Sequence, residues 1–308
     1  MRLEMLQVAR LAPKLLGESA ELVSAFLLRQ QNPDGGFMDR AGKSDPYYTV
    51  FGLDGLLVLD VSALKPHLSS SQLGDRFAEA TRYIHGFDDG RGLDFVHLCC
   101  LARTWAAIAS QGTVGPRSSE WRGSLLRRIE EYRSGDGGYS PMSGANFGTA
   151  YGCFLALGAY QDLRATVPEP LRLVQCLKFL ETQDGAWANE RNQKTGSTNA
   201  TAAAATALRN LAMPVNPLAG DWLLARFHAD GGFLAAPHAP MPDLLSTATA
   251  LHALAGTQAS FERIRERCLD FIDTLWTNEG GFHGHWGDDH LDCEYTFYGL
   301  LALGHLSL

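Results

Sequence analysis

Two basic residues with a three-residue spacing, Arg40 and Lys43, stand directly before an acidic residue and two tyrosines, Asp45, Tyr47 and Tyr48. Guanidinium and ammonium groups bind phosphate oxygens, and a guanidinium can do so through two parallel hydrogen bonds. The apolar run "VFGLDGLLVL" follows at once and predicts a buried helix. Because the free N–H groups at a helix start attract anions, this stretch is a candidate site for an anion such as a phosphate group, and the alternative is that Arg40 and Lys43 are solvated loop charges.

A second group of ionisable residues precedes the last apolar segment of the chain. It consists of Asp288, Asp289, Asp292 and Glu294. Neighbouring carboxylates and burial both raise the pKa of a carboxyl group, which can then stay protonated and donate a proton. Asp292 and Glu294 are therefore candidate catalytic acids, and Tyr48 is a further catalytic candidate.

Both stretches belong to a repeat that runs through the whole chain. An acidic residue followed by glycine recurs six times, at steps of 55, 47, 48, 46 and 49 residues. Four of the six copies continue as Gly-aromatic ("DGGF", "DGGY", "DGGF" and "EGGF"), and "DGAW" is close to them. Such regular spacing is typical of an architecture built from structural repeats. The copies begin at Asp34, Asp89, Asp136, Asp184, Asp230 and Glu279.

The segments on either side of each turn differ in polarity. An amphipathic segment such as "LRLVQCLKFLETQ" precedes the turn, and a far less charged one such as "TAAAATALRNL" follows it. A helix with one polar face lies at a surface, whereas a helix apolar on nearly all faces must be buried on nearly all faces. We therefore expect an all-α fold, an α/α toroid with six inner and six outer helices. An open solenoid is the alternative, but it usually requires polar capping repeats, and the last repeat is as apolar as the others.

Closure of the double-walled ring would form a single domain over residues 1–308 and bring the sixth, first and second repeats side by side. Ionisable residues are concentrated at the inner-helix starts of these three repeats, in "GDDHLDCEYT", "GKSDPYYT" and "GRGLDFVHLCC". The starts of the other inner helices are neutral or nearly so. We therefore expect the functional site where these three repeats meet.

The turn-and-helix repeats resemble those of the prenyltransferase and squalene-cyclase toroids, and over essentially the whole chain they are most similar to protein prenyltransferase β subunits. In that family a Gly-Gly-Phe turn is followed by Arg-x-x-Lys and Asp-x-Cys-Tyr, and the next repeat carries Asp-Phe-x-His. Here Tyr47 stands in the place of the cysteine, and the gap before the aspartate is one residue shorter. The matching residues are Gly35-Gly36-Phe37, Arg40, Lys43, Asp45, Tyr48, Asp94 and His97.

This resemblance implies an enzyme that holds an isoprenoid diphosphate. Arg40, Lys43 and Tyr48 correspond to the positions that contact the diphosphate. A diphosphate substrate would bring magnesium as its counter-ion. The family's enzymes also work with a helical partner subunit, so the resemblance implies such a partner here.

The resemblance also implies a catalytic zinc, with Asp45 and His97 as two of its ligands. A catalytic zinc usually has three protein ligands. Because Tyr47 replaces the expected cysteine, Cys293 of the sixth repeat is the candidate for the third ligand, with Asp292 and Glu294 as alternatives.

Aromatic residues recur at helical spacing on these segments. Core packing is the ordinary explanation of such spacing. In a toroid the same positions line a central cavity, where rings would contact an isoprenoid chain or stabilise a carbocation. The candidate substrate-binding aromatics are Tyr47, Tyr48, Phe51, Trp105, Phe297 and Tyr298.

Three other functions remain open. Class II terpene cyclases begin an inner helix with Asp-x-Asp-Asp-Thr, and the sixth repeat carries the similar Asp292-Cys293-Glu294-Tyr295-Thr296, whose acid would protonate an alkene. A non-catalytic toroid would bind a lipid or a partner protein on its rim. A glycosidase would use two carboxylates that face each other across the cavity.

Composition narrows the choice of partners and of compartment. A formal net charge of -8 without a basic cluster argues against a nucleic-acid partner. The ligand that the resemblance implies is an isoprenoid or another apolar small molecule. The six cysteines are dispersed and include no C-x-x-C pair, which is typical of reduced thiols in a cytoplasmic protein. No apolar run reaches the roughly 18 residues expected of a transmembrane segment.

Overall fold

The structure is a computed structural model of the 308-residue chain and describes residues 1–59, 70–112 and 119–308. Most of the described residues are helical, and short antiparallel strand pairs accompany two of the turns. The strands are β1 (Phe37–Met38), paired with β2 (Ser44–Asp45), and β3 (Phe233–Leu234), paired with β4 (Pro242–Asp243). The helices are α1 (Arg2–Ala9), α2 (Pro13–Leu16), α3 (Ser19–Arg29), α4 (Pro46–Leu59), α5 (Ser70–His85), α6 (Phe95–Ala109), α7 (Ser119–Glu130), α8 (Ala150–Asp162), α9 (Pro170–Phe179), α10 (Thr198–Asn210), α11 (Leu218–Leu224), α12 (Leu244–Gly256), α13 (Arg265–Leu275) and α14 (Cys293–Leu306).

The described residues fall into two compact units. The terminal unit consists of Arg2–Arg128 and Leu275–Leu308, and the central unit consists of Met1 and Ile129–Thr274. In the terminal unit α4 packs between α6 and α14, so the inner helices of the first and last repeats are neighbours. In the central unit α10 packs between α8 and α12.

The two kinds of helix predicted from the repeats differ in burial. Twelve of the fourteen residues of α4 and eleven of the fourteen residues of α14 are buried. In the outer helix α9 only four of ten residues are buried. This contrast follows from their sequences, because a helix without a polar face has no favourable surface to present to water. In the described ranges 1–59, 70–112 and 119–308, no helix is long and apolar enough to cross a membrane.

The glycine of each acidic–Gly turn has a backbone conformation that other residues adopt only with strain. The φ angles of the six turn glycines lie between 83° and 96°. Space is also restricted, since a Cβ atom added to Gly35 would lie 2.0 Å from the carbonyl oxygen of Glu79 on α5. The repeated glycines therefore allow the backbone conformation of the turn, and at Gly35 glycine also allows the turn to lie close to helix α5.

In four of the turns the same type of hydrogen bond joins the turn to the inner helix that follows it. The aromatic residue after the turn is buried, and its backbone N–H donates to the Oγ1 atom of a threonine on that helix. A buried N–H group without an acceptor destabilises the fold, and the threonine Oγ1 atom supplies the acceptor for this N–H group. The pairs are Phe37 with Thr49 (2.9 Å), Trp187 with Thr201 (3.0 Å), Phe233 with Thr247 (2.9 Å) and Phe282 with Thr296 (3.4 Å).

Candidate active site

The β1–β2 hairpin carries the two basic residues of the first repeat. Asp39 closes its turn, since Oδ1 of Asp39 accepts hydrogen bonds from the backbone N–H groups of Ala41 (2.8 Å) and Lys43 (2.9 Å). The hairpin presents Arg40 to the sixth repeat, whereas Lys43 is exposed. The three-residue spacing therefore does not bring the two cations to one partner.

Arg40 binds two carboxylates of the sixth repeat. Its Nε donates to Oδ2 of Asp292 (2.9 Å), and its Nη1 and Nη2 donate to Oδ1 (3.3 Å) and Oδ2 (2.9 Å) of Asp288. The side chain of Arg40 is 36% exposed, but those of Asp288 and Asp292 are only 6% and 2% exposed. One positive and two negative charges leave this group with a formal charge of −1, so Arg40 is already more than neutralised.

Asp292 is also the N-cap of α14. Its Oδ1 accepts a hydrogen bond from the backbone N–H of Tyr295 (2.9 Å), a role for which aspartate is well suited. Burial raises the pKa of Asp292, and this effect outweighs the opposing hydrogen bonds from Tyr295 and Arg40. Asp288 differs, because the hydrogen bonds from the His290 N–H and from Arg40 outweigh its burial and lower its pKa.

Glu294 lies in the first turn of α14 and has the most strongly altered carboxyl group at this helix start. Burial raises the pKa of Glu294 to about 7, the charge of Asp292 adds to this effect, and a hydrogen bond from Tyr47 opposes it. The Tyr47 hydroxyl donates to Oε1 of Glu294 at 2.6 Å. A carboxyl group with this pKa is well suited to general acid chemistry near neutral pH.

An aromatic cluster, formed by Tyr47, Tyr48, Phe51, Phe297 and Tyr298, lies next to Glu294. The Tyr47 ring meets those of Phe51 and Tyr48 at centroid distances of 5.0 and 5.6 Å. Phe51 lies 5.8 Å from Phe297 and 5.5 Å from Tyr298. Burial and the charges of Asp292 and Glu294 raise the pKa of Tyr48 to about 12, so its hydroxyl stays protonated.

Arg103 and Asp54 also belong to this region, and neither was predicted as a site residue. The Arg103 guanidinium lies 5.6 Å from the Phe51 centroid and 5.8 Å from the Phe297 centroid, within cation–π range. Its Nε donates to Oδ2 of the fully buried Asp54 (2.8 Å), whose Oδ1 accepts from Nε of Arg2 (3.0 Å). The available signal was a single charged residue inside each of two apolar runs, "GLDGLLVL" and "LCCLARTW".

Asp45 and His97 lie together at the starts of α4 and α6. The Nε2 atom of His97 is 3.3 Å from Oδ2 of Asp45, and its Nδ1 atom is 2.9 Å from Oδ1 of Asp94. The hydrogen bond to Asp45 and the charge of Asp94 raise the pKa of His97 despite its partial burial. Asp45 also fixes the start of α4, because its Oδ1 accepts from the backbone N–H of Tyr47 (2.7 Å).

The residues present do not fit the zinc site that the resemblance implies. Tyr47, in the place of the cysteine, donates to Glu294, and both ring nitrogens of His97 face carboxylates. Burial raises the pKa of the Cys293 thiol well above its usual value, which opposes formation of the thiolate that a metal requires. Over the part of the chain that the structure describes, no group of three His, Cys, Asp or Glu residues is placed to hold a metal ion.

Trp105 packs against side chains of the terminal unit that do not belong to the aromatic cluster. Its ring lies 5.1 Å from that of His85 on α5 and 5.4 Å from that of Trp121 on α7, both outer helices. A ring packed against outer helices is part of the core. We therefore leave Trp105 out of the candidate site.

The family to which this chain belongs follows from its sequence. The family profile described as the prenyltransferase alpha-alpha toroid domain matches residues 10–73 and 203–306, more than half of the chain. The chain is therefore a member of the prenyltransferase α/α toroid domain family. The predicted all-α toroid fold is confirmed. A search of curated protein sequences finds no match.

Solved structures with a similar fold cover nearly the whole chain. Candida albicans protein geranylgeranyltransferase-I complexed with GGPP has a TM-score of 0.69 at 13% identity, over 93% of this chain and 90% of that chain. The type II terpene cyclase MstE from Scytonema has a TM-score of 0.60 at 15% identity, over 95% of this chain and 97% of that chain. A variant of MstE in complex with its substrate, geranylgeranyl dihydroxybenzoate, has a TM-score of 0.59 at 15% identity, over 96% and 97% of the two chains. At these identities the similarity concerns the fold.

Proposed function

We propose that this protein is an isoprenoid-binding enzyme of the terpene-cyclase type, in which Glu294 protonates the ligand. The family supports an isoprenoid ligand, and among the proteins of similar fold one is complexed with GGPP and another with geranylgeranyl dihydroxybenzoate. The observation that carries the proposal is the Glu294 carboxyl group. It is held by the Tyr47 hydroxyl beside the aromatic cluster and has a pKa of about 7.

The proposed first step is the transfer of a proton from Glu294 to an alkene carbon of the ligand. The O–H bond of Glu294 breaks, the electron pair of the double bond forms the new C–H bond, and a carbocation and a carboxylate remain. A second double bond of the ligand then attacks the carbocation and closes a ring. Loss of a proton from the product cation to a base ends the reaction, so the product is an isomer of the substrate.

The aromatic cluster has the chemistry that such a cation requires. Aromatic ring faces attract positive charge without acting as nucleophiles, each contributing on the order of 1 kcal/mol. The Phe51 ring centroid lies 5.0 Å from that of Tyr47 and 5.5 Å from that of Tyr298, and the fully buried Phe297 packs against Phe51 at 5.8 Å. Their apolar surface also suits an isoprenoid chain.

Diphosphate transfer has weaker support from the same residues. A diphosphate would have to displace Asp288 and Asp292 from Arg40, in surroundings where the three side chains together are already negative. The described residues also provide no complete ligand set for the zinc that such a transfer would use. The exposed guanidinium of Arg40 and the exposed Lys43 on one hairpin nevertheless make an isoprenoid-diphosphate transferase the second candidate, and zinc, magnesium and a helical partner subunit stay predictions of that candidate.

The test is an assay for isomerisation. Geranylgeraniol, geranylgeranyl dihydroxybenzoate and geranylgeranyl diphosphate are each incubated with the protein, with and without EDTA, and the products are analysed by mass spectrometry. We expect a product that has the same mass as its substrate and keeps the head group of that substrate. It should form at the same rate with and without EDTA. Glu294→Gln should lower the rate about 100-fold or more, because an amide cannot donate the proton.

The matched control is Glu262→Gln, which makes the same change at an exposed position and should keep the wild-type rate. Full activity of Glu294→Gln would refute the proposal. Conversion of the diphosphate alone, with release of pyrophosphate and loss of activity in Arg40→Gln and Lys43→Ala, would establish the transferase instead.

A further inference from the structure

Tyr47 occupies the position at which this chain departs from the zinc motif of the family it resembles. It lies in the first turn of α4, next to the first turn of α14, because these two helices pack together. Its hydroxyl reaches across this contact and donates to Oε1 of Glu294 at 2.6 Å. The residue that replaces the cysteine is therefore in direct contact with the proposed acid.

Contacts within the first turns of α4 hold the Tyr47 ring in place. Asp45 accepts a hydrogen bond from the Tyr47 backbone N–H at 2.7 Å. Edge-to-face contacts with Phe51 and Tyr48, at 5.0 and 5.6 Å and interplanar angles of 70° and 79°, hold the ring itself. The hydroxyl is thus placed before any ligand binds, which is the condition for a preorganised active site.

This hydrogen bond distinguishes the two oxygens of the Glu294 carboxyl group. A phenol has one proton to donate, and here it is directed at Oε1. When Glu294 is protonated and accepts this bond, its own proton is on Oε2. When that proton leaves, negative charge develops on both oxygens, and a hydrogen bond to Oε1 becomes stronger.

We propose that Tyr47 is a positioning residue that orients Glu294 and makes Oε2 the oxygen from which the proton is transferred. This inference rests on the proposed function of Glu294 as the proton donor. Because the Tyr47–Glu294 bond strengthens as charge develops, its contribution is larger in the transition state than in the bound ground state. Loss of the hydroxyl should therefore lower kcat and leave KM nearly unchanged.

The test compares the steady-state kinetics of Tyr47→Phe with those of the wild type in the isomerisation assay. Phenylalanine keeps the ring contacts and removes only the hydroxyl. We expect kcat to fall about 10- to 100-fold and KM to change less than about 2-fold. Tyr83→Phe, which removes a hydroxyl from the outer helix α5, is the matched control and should retain the wild-type kcat.

The outcomes separate this inference from the function on which it rests. An inactive Glu294→Gln combined with an unchanged kcat in Tyr47→Phe would overturn the role of Tyr47 and leave Glu294 as the acid. A raised KM with unchanged kcat in Tyr47→Phe would also overturn it, because Tyr47 would then act on ligand binding. An active Glu294→Gln would remove the proposed function, and the role of Tyr47 with it.

Discussion

The two carboxyl groups at the start of α14 differ in how readily they hold a proton. Burial raises the pKa of Asp292, but the hydrogen bonds that it accepts from the Arg40 guanidinium and from the Tyr295 N–H oppose this effect and favour its carboxylate form. Burial raises the pKa of Glu294 to about 7, so Glu294 can hold its proton near neutral pH. We assign the proton donor to Glu294 for this reason.

The raised pKa of Glu294 also predicts how stability depends on pH. The folded protein binds a proton at Glu294 more tightly than the unfolded chain, whose glutamates titrate near 4.5. The contribution of Glu294 to the free energy of unfolding is thus fully present below about pH 4.5 and is lost as the pH rises through about 7. Between pH 5 and pH 8 we expect the free energy of unfolding of the wild type to fall by about 2 to 3 kcal/mol relative to that of Glu294→Gln.

Urea denaturation of both proteins at the two pH values measures this difference directly. Comparison with the glutamine variant cancels the contributions of the titrating groups that do not interact with Glu294. A difference that is the same at pH 5 and pH 8 would show that Glu294 has an ordinary pKa in the folded protein.

Residue types and spacing indicated the ionisable residues at the starts of α4, α6 and α14 as candidates, but they did not indicate Arg103 or Asp54, and they could not show which residues contact one another. The acids of the last repeat stand out because they are close in sequence. The partner of Arg40 could not be predicted, because Asp288 lies 248 positions away along the chain. The contact between Tyr47 and Glu294 depends on the packing of α4 against α14 and on two side-chain conformations, and neither is encoded in local spacing.

Among the secondary-structure elements, the β1–β2 hairpin is joined to the start of α14 by Arg40. Substitution Arg40→Gln would leave the buried carboxyl of Asp292 without its counter-ion. We expect the free energy of unfolding to fall by about 1 to 3 kcal/mol, less than for a fully buried pair because Arg40 is partly exposed. Thermal or urea denaturation measures the loss.

The control for this prediction lies three residues away on the same hairpin. Lys43→Ala removes an exposed cation and should change the free energy of unfolding by less than about 0.5 kcal/mol. Equal effects of the two substitutions would mean that the Arg40 ion pairs contribute nothing beyond general surface charge.

The inner helices were predicted correctly from their apolar runs, but one function of their threonines was not. Thr49, Thr201 and Thr247 accept hydrogen bonds from the backbone N–H groups of the turn aromatics. The sequence does not show which turn N–H groups lack a backbone partner, so this role required the structure.

At the scale of the whole molecule, a repeated turn glycine and a hairpin glycine of the same repeat allow a matched test of how the turns pack against the outer helices. Gly35 and Gly42 both have positive φ, but a Cβ atom at Gly42 would meet nothing within 4 Å, whereas one at Gly35 would overlap with the Glu79 carbonyl oxygen. Gly42→Ala should lower the free energy of unfolding by about 1 to 2 kcal/mol. Gly35→Ala should lower it by at least about 2 kcal/mol more, because α5 must also move.

Urea denaturation of the two variants gives both values. Equal losses would show that the turn tolerates displacement from α5 and that only the backbone conformation of the glycine matters.

The fold of the whole molecule could be predicted because the same signal occurs six times, so that each copy supports the others. A single acidic–Gly pair would indicate no more than a turn. The division of the described residues into a terminal and a central unit has no such signal, since the repeat spacing is uniform across the boundaries near residues 128 and 274. The single-domain interpretation of residues 1–308 stays a prediction.

The composition of the terminal unit has a consequence for synthesis on the ribosome. This unit joins Arg2–Arg128 to Leu275–Leu308, whereas the central unit, Met1 apart, is one continuous stretch. Helix α4 emerges from the ribosome long before its neighbour α14, and contacts so distant in sequence form slowly. The apolar surface of α4 that faces α14 therefore stays uncovered until α14 has emerged, and surface exposed in this way favours aggregation during synthesis.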